Sequence, residues 1–93
     1  MKKWYWMTVG TGGEFLNIHG THAPTIEWLV GEAEKRLTKA KVERFNDADG
    51  VLYMATLKAK APEATAAVLR RLLGEAGWEP FQAGGTFKRV VEG

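Results

Sequence analysis

The chain has 93 residues, 45% of them hydrophobic and 11% aromatic, which suits one domain (1–93) with a packed core and is too short for several. It has no cysteine, which excludes disulfides and thiolate chemistry, and no run of the roughly 20 apolar residues that a membrane span requires. Thirteen basic residues against eleven acidic ones give a net charge of +2, a weaker bias than dedicated nucleic-acid binders usually carry. The first six residues lack the apolar segment of a signal peptide, so we expect a cytoplasmic protein with no membrane partner.

The first predicted strand, Lys3–Val9, is unusually aromatic. Successive strand residues point to opposite faces of a sheet, so Trp4 and Trp6 share one face. The other face carries three candidates for the core, which are Tyr5, Met7 and Val9.

A glycine-rich segment, Gly10–Gly13, follows this strand and can supply the positive φ angles of a tight turn. Glu14–His19 is then a candidate return strand. The same glycines could hold a phosphate on their backbone amides, but the helix and lysine that complete a P-loop do not follow. The segment therefore favours a hairpin turn.

The first helix is predicted over residues 24–39, because Pro24 suits the first helical position and apolar residues recur at helical spacing. Glu32 and Arg36 are four residues apart and can form an ion pair on its surface. The apolar stripe consists of Ile26, Leu29, Val30, Ala33 and Leu37.

A short strand over residues 42–45 and a turn over 46–50 lead to Val51–Leu57, the longest run with neither a charge nor a helix or strand breaker. Asp47 and Asp49 resemble the start of a calcium loop, but the next strand begins at once, so we interpret them as turn residues. Val51–Leu57 has apolar residues on both faces, which predicts a strand with neighbours on both sides.

The second helix is predicted over residues 62–76, with Arg70 and Arg71 facing solvent. Gly77 is placed for a left-handed C-cap, and Trp78 is expected to contact Leu73 in a Schellman motif. Two short strands, 79–82 and 86–91, complete the chain.

This order of elements predicts an α+β fold, a two-layer sandwich with a ferredoxin-like βαββαβ core. Two helices would cover one face of an antiparallel sheet, with additional hairpins near the N and C termini. In this plan the first strand is central, so we expect 3–9 to pair with 51–57 and treat 14–19 as an addition.

Two histidines, His19 and His22, lie at the junction between a strand and the first helix. Imidazoles at this spacing can share a metal, but a third ligand would have to come from elsewhere. A small metal-dependent enzyme that uses this pair is therefore the least favoured hypothesis, and we predict no metal site and no cofactor. The chain has no serine and no cysteine nucleophile, which favours a non-catalytic protein.

The sheet has more apolar surface than two short helices can cover, because Val51–Leu57 is apolar on both faces and Trp4 and Trp6 lie on the helix-free side. Three coverings stay open: a second copy of the chain in a homodimer, the chain's own segments 14–19 or 79–82, or a foreign partner. Bases stack on exposed sheet aromatics in RNA-recognition folds, while neighbouring basic residues contact phosphates. Of the aromatics that such folds carry on their third strand, this chain has only Tyr53.

We therefore predict a small non-catalytic binding or regulatory module that forms a homodimer and uses the helix-free face, for single-stranded nucleic acid or a protein that handles nucleic acid. The alternatives are a protein inhibitor of the kind that phages or mobile elements encode, acting by protein–protein contact, and a purely structural homodimer. The predicted partner-binding residues are Trp4, Trp6, Tyr53, Lys3, Lys58, Lys88 and Arg89.

Overall fold

Eight elements follow one another in the computed structural model, which describes residues 2–37, 41–46, 53–82 and 85–92. The strands are β1 (Lys2–Gly12), β2 (Phe15–Gly20), β3 (Lys41–Asn46), β4 (Tyr53–Lys58), β5 (Glu79–Gln82) and β6 (Thr86–Glu92). The helices are α1 (Ala23–Glu34) and α2 (Pro62–Glu75). The calcium-like turn over 47–50 and the first two residues of the predicted strand 51–57 lie outside the described residues.

The six strands form one antiparallel sheet in the order β3-β4-β2-β1-β6-β5. Three sequential hairpins lie side by side, with β1–β2 in the middle. The tight turn between β1 and β2 has Gly13 at φ 61°, as the glycine pattern predicts. The α+β class and the antiparallel sheet with two helices are confirmed.

The predicted ferredoxin-like strand order is not confirmed. The prediction that strand 3–9 pairs with 51–57 is wrong, because β4 pairs with β2 and β3, and β1 lies on the other side of β2. The glycine turn joins β1 to β2 as a hairpin, and α1 starts directly after β2. The segment predicted as an addition is therefore central, next to β1, and β4 lies second from the edge.

Both helices pack on the same face of the sheet, where they cover alternate residues of β1, β2 and β4. Met7 and Val9 of β1 are fully buried there, as the strand alternation predicts. The apolar stripe of α1 is buried, and Leu37 packs against the edge of the same core. The α1 helix ends at Glu34 and not at 39 as predicted, but the predicted ion pair forms across its end, with Arg36 Nη1 2.8 Å from Glu32 Oε2.

The second helix ends in the predicted Schellman motif. Gly77 has φ 97°, and its N–H donates to the carbonyl of Gly74 at 3.1 Å. The N–H of Trp78 donates to the carbonyl of Leu73 at 2.9 Å, and both side chains are buried in the core. The local sequence thus fixes where α2 stops and turns back to the sheet.

Arg70 does not face solvent as predicted. Its Nε and Nη2 groups donate to the backbone carbonyl of Val9 at 3.1 and 2.8 Å. Arg71, the next residue, is exposed and lies 3.9 Å from Glu75 in a weak ion pair. Adjacent helical positions are about 100° apart, so only one of the two arginines can reach the sheet.

Candidate nucleic-acid interface

The two most exposed large aromatic rings of the helix-free face, those of Trp4 and Phe81, both lie next to the side chain of Lys88. The Nζ atom of Lys88 lies 5.3 Å from the ring centroid of Trp4 and 5.5 Å from that of Phe81. Both distances are within the range of cation–π attraction. Trp4 is 67% exposed and Phe81 is 50% exposed. We call Trp4, Trp6, Phe81 and Lys88 the aromatic–lysine patch.

Three neighbouring strands build this patch. Lys88 on β6 lies directly opposite Trp6 on β1, and Val90 lies opposite Trp4. On the other side of β6, the β5 register shifts between Pro80 and Gln82, which leaves Phe81 as the extra residue of a bulge. A bulge redirects the side chain that it carries. Here the ring of Phe81 lies beside Lys88.

Trp4 and Trp6 differ in exposure because β1 is longer than its neighbour β2. The β1–β2 pairing begins at Met7, so Trp4 has a paired strand only on its β6 side. Trp6 lies closer to the body of the sheet and is half-buried, with its ring edge-on to His19 at a centroid distance of 5.5 Å. Trp4 is thus the more available surface for a partner.

A shallow depression of about 310 Å³ lies at the sheet edge beside Trp4. β5 begins at Glu79, opposite Lys88, whereas β6 continues to Glu92, so the depression lies where β6 extends past β5. Its lining residues are Trp4, Gly77, Glu79, Lys88, Arg89 and Val90.

The middle of the helix-free face is polar, which corrects the expectation of a largely apolar surface. The hydroxyls of Thr8 and Thr86 are 3.0 Å apart across β1 and β6. The hydroxyl of Thr56 donates to the side-chain oxygen of Asn17 at 3.2 Å across β4 and β2. These pairs form a hydrogen-bonded band between the two ends of the face.

Lys58 lies on the helix-free face but far from the patch. It pairs with Phe15 across β4 and β2, and Phe15 pairs with Gly12 at the far end of β1. Gly12 is eight residues from Trp4, which is about 26 Å along a strand. Lys58 instead borders a second depression of about 760 Å³ near the C-terminal end of α1. The predicted site therefore does not form one cluster with Lys58.

Three other predicted partner-binding residues are on the helix side of the sheet, which corrects their assignment. Tyr53 packs against the core. Arg89 is opposite Tyr5 in the register, and its guanidinium lies beside Gly77. Lys3 alternates with Trp4 and therefore shares the side of Tyr5. Adjacent strand residues such as Lys88 and Arg89 cannot both face one partner on a flat sheet.

His19 and His22 also lie on opposite faces, so they cannot share a metal in this structure. His19 contacts Trp6, whereas the ring of His22 lies 4.7 Å from that of Tyr5 and has Nδ1 2.7 Å from Oγ1 of Thr25. Burial lowers the pKa of His19 from its ordinary value. Burial also lowers the pKa of His22, and the nearby Arg89 lowers it further. Within the described ranges, no three His, Asp or Glu side chains come together as metal ligands.

Neither of the two segments considered as an internal covering lies across the helix-free face. Residues 15–20 and 79–82 are strands within the sheet, in its centre and at its edge, so neither crosses the face. That alternative is therefore wrong. A second copy of the chain and a foreign partner stay open.

Phe81 within the patch and Val90 beside it were absent from the predicted site. Val90 shares the face of Lys88 by strand alternation, which is a signal that the sequence does carry. The placement of Phe81 depends on the bulge at the sheet edge, and the sequence has no clear signal for that irregularity. Val90 is 38% exposed and adds to the apolar surface near Trp4.

None of the helices in the described ranges has the length and apolar character needed to cross a membrane.

Comparison with known proteins identifies no relative of this chain. The chain matches no protein-family model, no curated protein and no solved structure.

Proposed function

We propose that this protein is a non-catalytic module that binds single-stranded nucleic acid at its aromatic–lysine patch. The observation that carries the proposal is the position of the Lys88 ammonium next to the two exposed rings of Trp4 and Phe81. Single-strand binders combine these two elements, which are rings on which bases stack and cations that follow the backbone.

The exposure of the rings supports a ligand with aromatic faces. Each base stacked on a protein aromatic contributes about 1–3 kcal/mol, and stacking tolerates any base. Leaving a large apolar side chain in water forfeits about 1.5–3 kcal/mol of burial, so a ligand that covers Trp4 and Phe81 recovers part of that free energy.

The charge around the patch supports an anionic partner. Lys88 makes no ion pair within the part of the chain that the structure describes, although Glu79 is its cross-strand neighbour. Lys2, which shares the face of Trp4 by strand alternation, adds one exposed positive charge on β1. A phosphate would find two lysines close to two stacking surfaces.

The polar band supports a nucleic acid over a homodimer that pairs sheet against sheet. A stable protein interface buries about 800 Å² on each partner. A second copy over the whole face would have to bury the pairs Thr8–Thr86 and Thr56–Asn17, whose side chains already hydrogen-bond to each other and offer little to a new surface. A nucleic acid needs only the aromatic end of the face.

The test is fluorescence anisotropy with labelled single-stranded DNA and RNA of about 12 nucleotides, a length within the site sizes of small single-strand binders. We expect binding at low salt that weakens as salt rises, and little binding of a duplex of the same length. Trp4→Ala, Phe81→Ala and Lys88→Ala should each weaken binding.

Matched controls separate the patch from general effects. Lys35→Ala removes an exposed lysine of the loop after α1, and Phe15→Ala removes a 43% exposed ring at the far end of the face. Both should bind as the unaltered protein does. The proposal fails if neither single strand binds, or if the patch variants bind as well as the controls. Sedimentation at two concentrations would then show whether Trp4→Ala disrupts a homodimer.

A further inference from the structure

We infer that the patch holds a two-base step of a single strand, with one base on Trp4, the next on Phe81 and the phosphate between them on Lys88. This inference rests on the proposed function and specifies how that site binds. It also assigns Phe81 and Lys88 distinct roles.

The strand order sets the spacing of the two rings. Trp4 is on β1 and Phe81 is on β5, with β6 between them, so their backbones are at least two strand spacings of about 4.8 Å apart, and the register also offsets them along the strand direction. Both ring centroids lie within 5.5 Å of one ammonium, so the centroids are no more than about 11 Å apart. Two rings at this separation offer two stacking surfaces.

This spacing selects bases that are not stacked on each other. Consecutive bases in a stacked strand are about 3.4 Å apart, which is much less than the separation of the two strands that carry the rings. The bound step must therefore be splayed, as bases are when single-stranded RNA binds a sheet. A duplex cannot present its bases in this way.

Lys88 is positioned for the linking phosphate because it comes from the central strand of the three. Its ammonium is a compact charge with three N–H donors, and contact with the rings leaves donors available. A phosphate that joins two splayed bases on Trp4 and Phe81 would lie over β6. The depression beside Trp4, about 310 Å³ in volume, provides room at one end of the step.

The experiment is a length series in competition with the labelled oligonucleotide of about 12 residues used above. The competitors are thymidine monophosphate, a thymidine dinucleotide with a single linking phosphate, and the same dinucleotide with one base removed. We expect the dinucleotide to compete roughly 5- to 150-fold better than the monophosphate, which is the contribution of one additional stacked base. The dinucleotide without one base should lose that gain.

The variants locate the step on the protein. Trp4→Leu and Phe81→Leu keep an apolar side chain but remove the flat ring, and each should reduce dinucleotide competition to about the level of the monophosphate. Lys88→Gln should reduce the magnitude of the slope of log affinity against log salt concentration by about 0.7. This is the change expected when one phosphate contact to a single strand is lost. Circular dichroism of each variant checks that it is folded.

The outcomes separate this inference from the proposed function. If the long oligonucleotide binds but the dinucleotide competes no better than the monophosphate, the two-base step is wrong and the single-strand function stands. If the dinucleotide gain survives both leucine variants, the step lies elsewhere and the assignment is wrong. If no oligonucleotide binds, both proposals fail.

Discussion

The guanidinium of Arg70 on α2 holds the backbone carbonyl of Val9 on β1 with two hydrogen bonds, of 3.1 Å from Nε and 2.8 Å from Nη2. The N–H of the same Val9 donates to the carbonyl of Gly85 at 3.0 Å. A Cβ at Gly85 would collide with both the Val9 carbonyl and the Arg70 side chain. These contacts hold α2 over β1 next to the start of β6.

Arg70→Ala should therefore destabilise the protein by about 2 kcal/mol, because the carbonyl of the buried Val9 loses two charge-assisted hydrogen bonds. Urea unfolding followed by circular dichroism measures the change. Arg71→Ala is the matched control, since that arginine is exposed and makes only an ion pair of 3.9 Å, and it should cost less than about 0.5 kcal/mol. Equal losses in the two variants would refute the structural role of Arg70.

Gly20→Ala should be strongly destabilising, by about 1–3 kcal/mol or more. A Cβ at this position would meet the Trp6 carbonyl oxygen and would lie 2.6 Å from Met7 Sδ and 2.9 Å from Met7 Cα, so β1 and β2 would have to separate. Gly31→Ala is the control, because its Cβ would meet no atom within 4 Å on α1. Alanine favours a helix, so Gly31→Ala should stabilise by about 0.5–1 kcal/mol. If Gly20→Ala left the stability unchanged, β1 and β2 would not be as close together as the structure places them.

Stability should fall as the pH drops below about 6.5, because the folded state holds His19 and His22 with lowered pKa values. As the pH falls, the histidines of the unfolded chain take up protons first, near their ordinary pKa of 6.5. The stability that is fully present above that pH is then lost as the pH falls through the lower pKa values of the folded state. Urea midpoints between about pH 5 and pH 8 measure this loss.

The control for the histidine effect is the double variant His19→Gln, His22→Gln, which should have a flatter profile over the same pH window. Glu32 does not account for the loss, since the hydrogen bond from Arg36 lowers its pKa below the ordinary value of 4.5 and confines its effect to more acidic solution. An unchanged slope in the double variant would show that other groups cause the pH dependence.

Trp4→Ala and Trp78→Ala should differ sharply in stability although both remove an indole ring. Trp78 is 3% exposed, within the core under α2, so its removal should cost about 3–5 kcal/mol. Trp4 is largely exposed and contacts Lys88, so its removal should cost no more than about 1 kcal/mol. Thermal unfolding of the two variants makes the comparison. A large loss in Trp4→Ala would place this ring in the core and remove it from the proposed interface.

The parts of the fold that depend on neighbours in sequence were predictable. Gly13 marks the β1–β2 turn, Gly77 and Trp78 mark the end of α2, and Met7 and Val9 follow the alternation of β1. The opposite placement of Lys88 and Arg89 also follows from alternation, so it could have been predicted although the predicted site includes both residues.

The position of Arg70 was not predictable from periodicity. Helical spacing assigns it to a face, but a long side chain at the border of the buried stripe can either extend into solvent or reach back to the sheet. The choice depends on the Val9 carbonyl, which is 61 residues away in sequence. The ring of Phe81 was likewise unpredictable, because a bulge at the sheet edge decides where it lies.

The sequence by itself determined where the strands and turns lie, the two helices and which side chains of each strand share a face, because turns, caps and alternation are set by residues a few positions apart. Only the tertiary structure decided which hairpins adjoin, since any two amphipathic antiparallel hairpins offer compatible backbone edges and the packing of both helices over one core selects among them. That choice placed β6 between β1 and β5, and so brought Lys88 between Trp4 and Phe81.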